Sequence, residues 1–132
     1  MMQLPDDDEQ FLSELGLPWN LHPDGDSAGF LVVDQFCVSG GGLGPSPIQL
    51  MIRIPAQYPL SKLDMWYCSP AVRHQSTGAF PPQADVHETF LGISWQRFSR
   101  HLNDGCWKPG IDGLRTFFRF ILRELQGKDG HK

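Results

Sequence analysis

Imidazole and thiolate are the side chains that bind metals and attack carbonyls near neutral pH, so histidine and cysteine are where chemistry in this chain is sought first. Cys68, His74, His101 and Cys106 form one conceivable four-ligand metal set. Zinc sites draw their ligands from closely spaced cysteine and histidine pairs, and these positions do not pair that way. Cys68 also continues an apolar stretch, where a small thiol is at home in the core. No metal and no cofactor are expected. Cys106 offers a different chemistry. It follows Gly105 and precedes a helical pattern, and a helix N-terminus lowers the pKa of a nearby thiol towards the reactive thiolate. Gly40-Gly41-Gly42-Leu43-Gly44 lacks the Gly-Lys-Ser/Thr of a phosphate-binding loop and reads as a flexible strand connection. Gly92-Ile93-Ser94-Trp95-Gln96 lacks the second glycine of a serine-hydrolase elbow. Arg115, Arg119 and Arg123 are spaced by four and make a basic stripe, read as a solvated helix face with partner docking as the alternative.

These residues must be positioned by a small number of elements. A short helix is expected over Asp6 to Leu15, with Asp6 as its cap and Glu9 completing a capping box. Asp7 and Asp8 suit the positive end of its dipole. Phe11, Leu12 and Leu15 share a face, and Gly16 and Pro18 end the helix. Phe30 to Val38 reads as a strand bent at Asp34-Gln35. Ile48, Leu50, Ile52 and Ile54 alternate with Gln49, Met51 and Arg53, the pattern of a half-buried strand ended by Pro55. Leu63 to Ser69 reads as a third strand, with Leu63, Met65 and Tyr67 on one side. From Pro70 to about Pro109 no period is clear, and so long an irregular stretch in a compact domain carries function or hides an element. Ile111, Leu114, Phe117, Phe118, Ile121, Leu122 and Leu125 fall at helical spacing, with Pro109 at the start, Asp112 in the first turn and Gly127 past the end. Helix, antiparallel meander, irregular segment and C-terminal amphipathic helix describe an α+β domain with its helices on one sheet face.

The 132 residues suit one domain, here taken as residues 1–132 with a core of about 6–126. Such a domain buries roughly two thirds of its unfolded surface and needs no disulfide staples. The net charge of −4 disfavours nonspecific binding to nucleic acid or anionic membranes. No apolar run approaches the roughly 18 residues of a membrane span. Met1 to Asp8 is acidic where a secretory signal would be basic and then apolar. Three cysteines without a Cys-x-x-Cys argue for a reducing compartment, so a cytoplasmic location is expected.

One combination of motifs goes further. Ile54-Pro55-Ala56-Gln57-Tyr58-Pro59 follows a strand, and Asp64-Met65-Trp66-Tyr67 opens the next. Trp95-Gln96-Arg97-Phe98-Ser99-Arg100-His101 comes later, and Trp107-Lys108-Pro109-Gly110-Ile111-Asp112 opens the final helix. In order and spacing this resembles the ubiquitin-conjugating enzyme fold over about residues 6 to 126. In finer pattern it is similar to the bacterial ubiquitin-conjugating-like family E. Two features depart from the familiar enzymes. The His-Pro-Asn motif is missing, its nearest shapes being His87-Glu88-Thr89 and His101-Leu102-Asn103. No cysteine stands where the family's nucleophile commonly lies, eight residues before the Trp of Trp-x-Pro. That position is Ser99.

The resemblance implies a carrier that accepts the activated C-terminus of a ubiquitin-like protein from an adenylating enzyme, with a JAB-type metallopeptidase as a further partner. It makes Ser99 the candidate acyl acceptor. A serine hydroxyl needs a neighbouring base, and its acyl product is an oxyester. In an extended segment residues two apart share a face, so His101 is the candidate base. Arg97 and Arg100 flank the serine as candidate oxyanion stabilisers, and Asn103 is a further donor. Cys106 is the alternative nucleophile. The other reading is a noncatalytic variant of the fold that holds the ubiquitin-like protein or the activating enzyme as an adaptor. In familiar members the N-terminal helix docks the activating enzyme and tends to be basic. Here it begins Asp6-Asp7-Asp8-Glu9, so a basic complementary surface on the partner is expected.

Overall fold

A computed structural model describes residues 4–24, 28–38, 42–58, 60, 62–63, 65–81, 84–99, 108 and 111–126. Helix α1 spans Asp6–Leu15 and helix α2 spans Leu114–Gln126. Between them run β1 (Trp19–Asp24), β2 (Ala28–Phe36), β3 (Leu43–Gly44), β4 (Ile48–Ile54), β5 (Met65–Ser69), β6 (Arg73–His74), β7 (His87–Phe90) and β8 (Ile93–Ser99). Six strands form an antiparallel sheet in the order β1-β2-β4-β5-β8-β7, and β3 and β6 pair separately. The expected α+β class is therefore observed.

Period-two alternation sorts the strand side chains between two cores. Leu31, Val33, Ile48, Leu50, Ile52, Ile54, Trp66, Cys68 and Phe98 face the helices, packing with Leu12 of α1 and with Leu114, Phe117, Phe118, Ile121 and Leu125 of α2. The ring of Phe118 meets Phe11 at 5.0 Å and Phe36 at 6.0 Å. Phe30, Val32, Met51, Tyr67 and Trp95 form a second core on the opposite face, joined by Met65 and Phe90. Curling of the sheet closes this face. In a flat sheet β2 and β7 would be separated by four strand spacings, about 19 Å. The rings of Phe30 and Phe90 nevertheless lie 4.9 Å apart.

The bend read at Asp34-Gln35 is a β-bulge. The pairing of β2 with β4 shifts register between Val33 and Phe36, and Gln35 takes φ +61°. One extra residue switches side-chain parity, so Phe36 and Val38 return to the face that Leu31 and Val33 occupy. Gln49 Nε2 donates to Asp34 Oδ1 at 2.7 Å and pins the bulge.

Several expectations are corrected. The stretch after Pro70 holds β6, β7 and β8, and its hairpin completes the sheet. Its exposed turn, Leu91-Gly92, has positive φ at both residues (54° and 74°), the two-residue primed turn that matches strand twist. β1 was hidden by Pro18 and Pro23, which mark it as an edge strand. Leu63 packs on the helix side, across the sheet from Met65 and Tyr67. Met51 is buried, so β4 is covered on both faces. Pro5, not Asp6, is the N-cap of α1, and no side chain caps it; Gly16 ends it at φ +75° as expected. α2 begins at Leu114, leaving Ile111 78 % exposed ahead of it. Pro109 and Gly127 lie outside the described residues.

Candidate functional site

β8 carries the chain to the candidate nucleophile. Ser99 is its last residue, with its backbone paired to Met65 of β5. His101, Arg100, Asn103 and Cys106 lie outside the described residues. What the structure defines is the frame that delivers Ser99. Tryptophan and phenylalanine rings stack beneath the strand, Trp66 against Phe98 at 4.0 Å and 8°. On β8, Arg97 Nη1 forms a 2.6 Å ion pair with Glu88 of β7, so this expected oxyanion stabiliser is tied to the hairpin.

Gln96 is the polar centre of the frame. It is fully buried. Its Nε2 donates to Val72 O at 3.0 Å and Ala84 O at 2.8 Å. Its Oε1 accepts from Val72 N at 2.8 Å and from Cys68 Sγ at 3.1 Å. One amide thus answers four groups and clips the segment between β5 and β7 onto β8. The same environment makes Cys68 the small core thiol expected from its apolar stretch. Burial pushes its thiol up to about 12, so it stays protonated at neutral pH. Cys37 is exposed just past β2, with Ser46 Oγ 3.8 Å from its sulfur. Among the described residues no group of three or more histidine, cysteine or acidic side chains is placed to hold a metal ion.

A cleft of about 400 Å³ opens where α1 meets the start of α2. Asp8 sits at its base, buried, although its neighbours Asp6, Asp7 and Glu9 are exposed. α2 starts after Gly113, whose carbonyl accepts from Phe117 N at 3.0 Å. Glycine has no side chain to cap the helix. Asp8 supplies the acceptor from the other end of the chain, its Oδ1 taking the Leu114 N–H at 3.1 Å. The Tyr58 hydroxyl donates to Asp8 Oδ2. This gives Tyr58 its role, since its hydroxyl links the segment after β4 to the junction of both helices.

Gly113 is required by that close approach. A Cβ there would lie 2.7 Å from Asp8 Oδ1 and 3.0 Å from the Tyr58 hydroxyl. Gly113→Ala is expected to displace the capping carboxylate and destabilise the fold by about 1–3 kcal/mol, read as a lower urea midpoint at unchanged m value. Burial raises the Asp8 carboxyl above its usual 3.8, against the lowering effects of the Tyr58 and Leu114 hydrogen bonds. The folded state then holds this proton more tightly than the unfolded chain. Its contribution to stability is full below 3.8 and is lost as pH rises through the higher folded value. Between those limits, wild-type protein should lose stability relative to Asp8→Asn as pH rises, measured by melting temperature across the acid range.

The arginine stripe is exposed on α2. Arg115 Nη2 pairs with Glu14 Oε1 at 2.8 Å and its guanidinium lies over Phe11. Asp8, Tyr58, Gly113 and Gln96 were not picked out as a set by sequence reasoning. Their signals were slight: one aspartate in an acidic run, and one glutamine on the apolar face of a strand.

The model of prokaryotic E2 family E, the bacterial relatives of ubiquitin-conjugating enzymes, matches residues 4–128. The chain belongs to this family. No curated protein and no solved structure matches it. Membership carries a conjugation-type carrier role and interaction with a ubiquitin-like protein and its activating enzyme in general terms. Among the described residues no helix is long and apolar enough to cross a membrane.

Proposed function

We propose that this chain is a one-domain carrier of the ubiquitin-conjugating fold, working in the cytoplasm, which takes the activated C-terminus of a ubiquitin-like protein onto Ser99. The observation that carries the reading is the family match through residues 4–128 together with Ser99 at the end of β8, ahead of Trp107-Lys108-Pro109. In the reaction, Ser99 Oγ forms a C–O bond to the thioester carbonyl carbon held by the activating enzyme, and the C–S bond breaks. The hydroxyl proton passes to the imidazole of His101 and then to the departing thiolate. A base in this role contributes about 10²- to 10⁴-fold. Cys106 is the competing nucleophile, and a JAB-type metallopeptidase is a further partner. Incubation with the activating enzyme, the ubiquitin-like protein and ATP tests the reading. A covalent adduct supports the carrier, and stable noncovalent binding alone supports the adaptor.

The activating enzyme docks on the exposed acidic start of α1, at Asp6, Asp7 and Glu9. Asp7→Lys should weaken that association, and the difference from wild type should shrink as salt is raised, because exposed charges are screened beyond about 10 Å at 0.1 M. A salt-independent affinity, equal in the two proteins, would place the enzyme elsewhere.

A further inference from the structure

The two edges of the six-stranded sheet are built differently. β1 is guarded, with Pro18 ahead of it and Pro23 within it. β7, His87-Glu88-Thr89-Phe90, holds no proline. Its pairing with β8 shows which backbone groups are spent. Arg97 N donates to Val86 O at 2.9 Å, and the register then alternates, so Glu88 and Phe90 carry the ladder with Trp95 and Ile93. The N–H and C=O groups of His87 and Thr89 therefore point away from β8, along an edge that no strand among the described residues covers. Both residues are exposed. Exposed apolar side chains flank them. Val86 lies at one end, with the Phe80 ring 5.8 Å from the His87 ring; Leu91, 48 % exposed, lies at the other. Leu91 occupies the left-handed region at φ 54°, where asparagine or glycine would be easier, and it still presents a leucine to solvent.

We infer that the β7 edge docks the extended C-terminal tail of the ubiquitin-like protein, adding it as a seventh, antiparallel strand. The inference rests on the carrier reading for the identity of the tail. It is carried by direction and reach. A strand antiparallel to β7 runs parallel to β8, so its C-terminus leaves at the end where β8 reaches Ser99. From a position beside His87, which pairs with Gln96, Ser99 is about 10 Å along the strand direction and two strand spacings, about 10 Å, across. Four or five extended residues cover that diagonal of about 14 Å. A free tail of about eight residues therefore satisfies both the pairing and the transfer.

Amide exchange read by NMR on the full chain tests this. The probes are the cognate ubiquitin-like protein and, separately, a peptide of about ten residues from its C-terminus. Each should slow exchange at His87 and Thr89 by at least about tenfold. Thr89→Pro removes an N–H that the β7–β8 ladder does not use. It should keep the wild-type melting temperature within a few degrees and weaken peptide binding at least about tenfold. Unchanged exchange at saturating probe overturns the inference. So does protection that appears without probe and grows with protein concentration, because a second copy would then occupy the edge. The two readings fail separately. An adduct formed while both amides stay unprotected removes the docking edge and leaves the carrier. Protection without any adduct removes the carrier and leaves the docking edge.

Discussion

Ser99→Ala, incubated with the activating enzyme, the ubiquitin-like protein and ATP, is expected to form no covalent adduct, while Cys106→Ala charges as wild type does. The methyl group offers no nucleophile, and the loss should exceed the roughly 10²- to 10⁴-fold that a general base alone contributes. The backbone of Ser99 pairs with Met65 at the end of β8. Alanine is compatible with that conformation, so a folding defect is not expected to mimic the result. The wild-type adduct should survive thiol reductant and yield to mild base, as an oxyester does. Removal by reductant, together with loss in Cys106→Ala, would assign the reaction to that thiol.

The largest stability effect is expected at Gln96. Gln96→Leu keeps much of the volume but strands the Val72 N–H and the Val72 and Ala84 carbonyls in a dry interior. Each buried group left unpaired costs about 1–3 kcal/mol, so a total of about 3–5 kcal/mol is expected after partial relaxation. Denaturant unfolding measures it, and amide exchange at Val72 should accelerate. Ser94→Ala, at an exposed position on the same strand, should stay within about 0.5 kcal/mol of wild type. A Gln96→Leu protein as stable as that control would show that the clip between β8 and the 72–84 segment contributes nothing.

The helices were legible because each carries a helical period, and the central strands because their apolar runs are bounded by turn and proline signals. α2 needed only Leu114, Phe117, Phe118, Ile121 and Leu125, all of which are buried. β7 escaped because it is a short, mostly polar edge strand in which only Glu88 and Phe90 are partly buried. β8 escaped because the curl of the sheet brings apolar side chains to both faces, so Trp95 and Phe98 bury in opposite directions and its apolar residues keep no single period. Prolines disguised β1 for the reason that suits it to an edge. The helix signals at Asp6 and Pro109 placed each start by local rules. The start of α2 is set instead by Asp8, a tertiary partner that no window of neighbouring residues contains. Of the candidate site, Ser99 is singled out by its spacing from Trp107 under the family resemblance alone. The Gln96 clip and the Asp8-Tyr58-Gly113 junction depend on contacts between distant segments, which spacing does not encode.

Covalent transfer is decided by the intact mass of the wild-type chain after incubation with the activating enzyme, the ubiquitin-like protein and ATP. The expected species is heavier by one ubiquitin-like protein less one water, stable to reductant, absent without ATP and mapped to Ser99 by fragmentation. An unmodified mass under conditions in which the activating enzyme is itself charged would rule the transfer out.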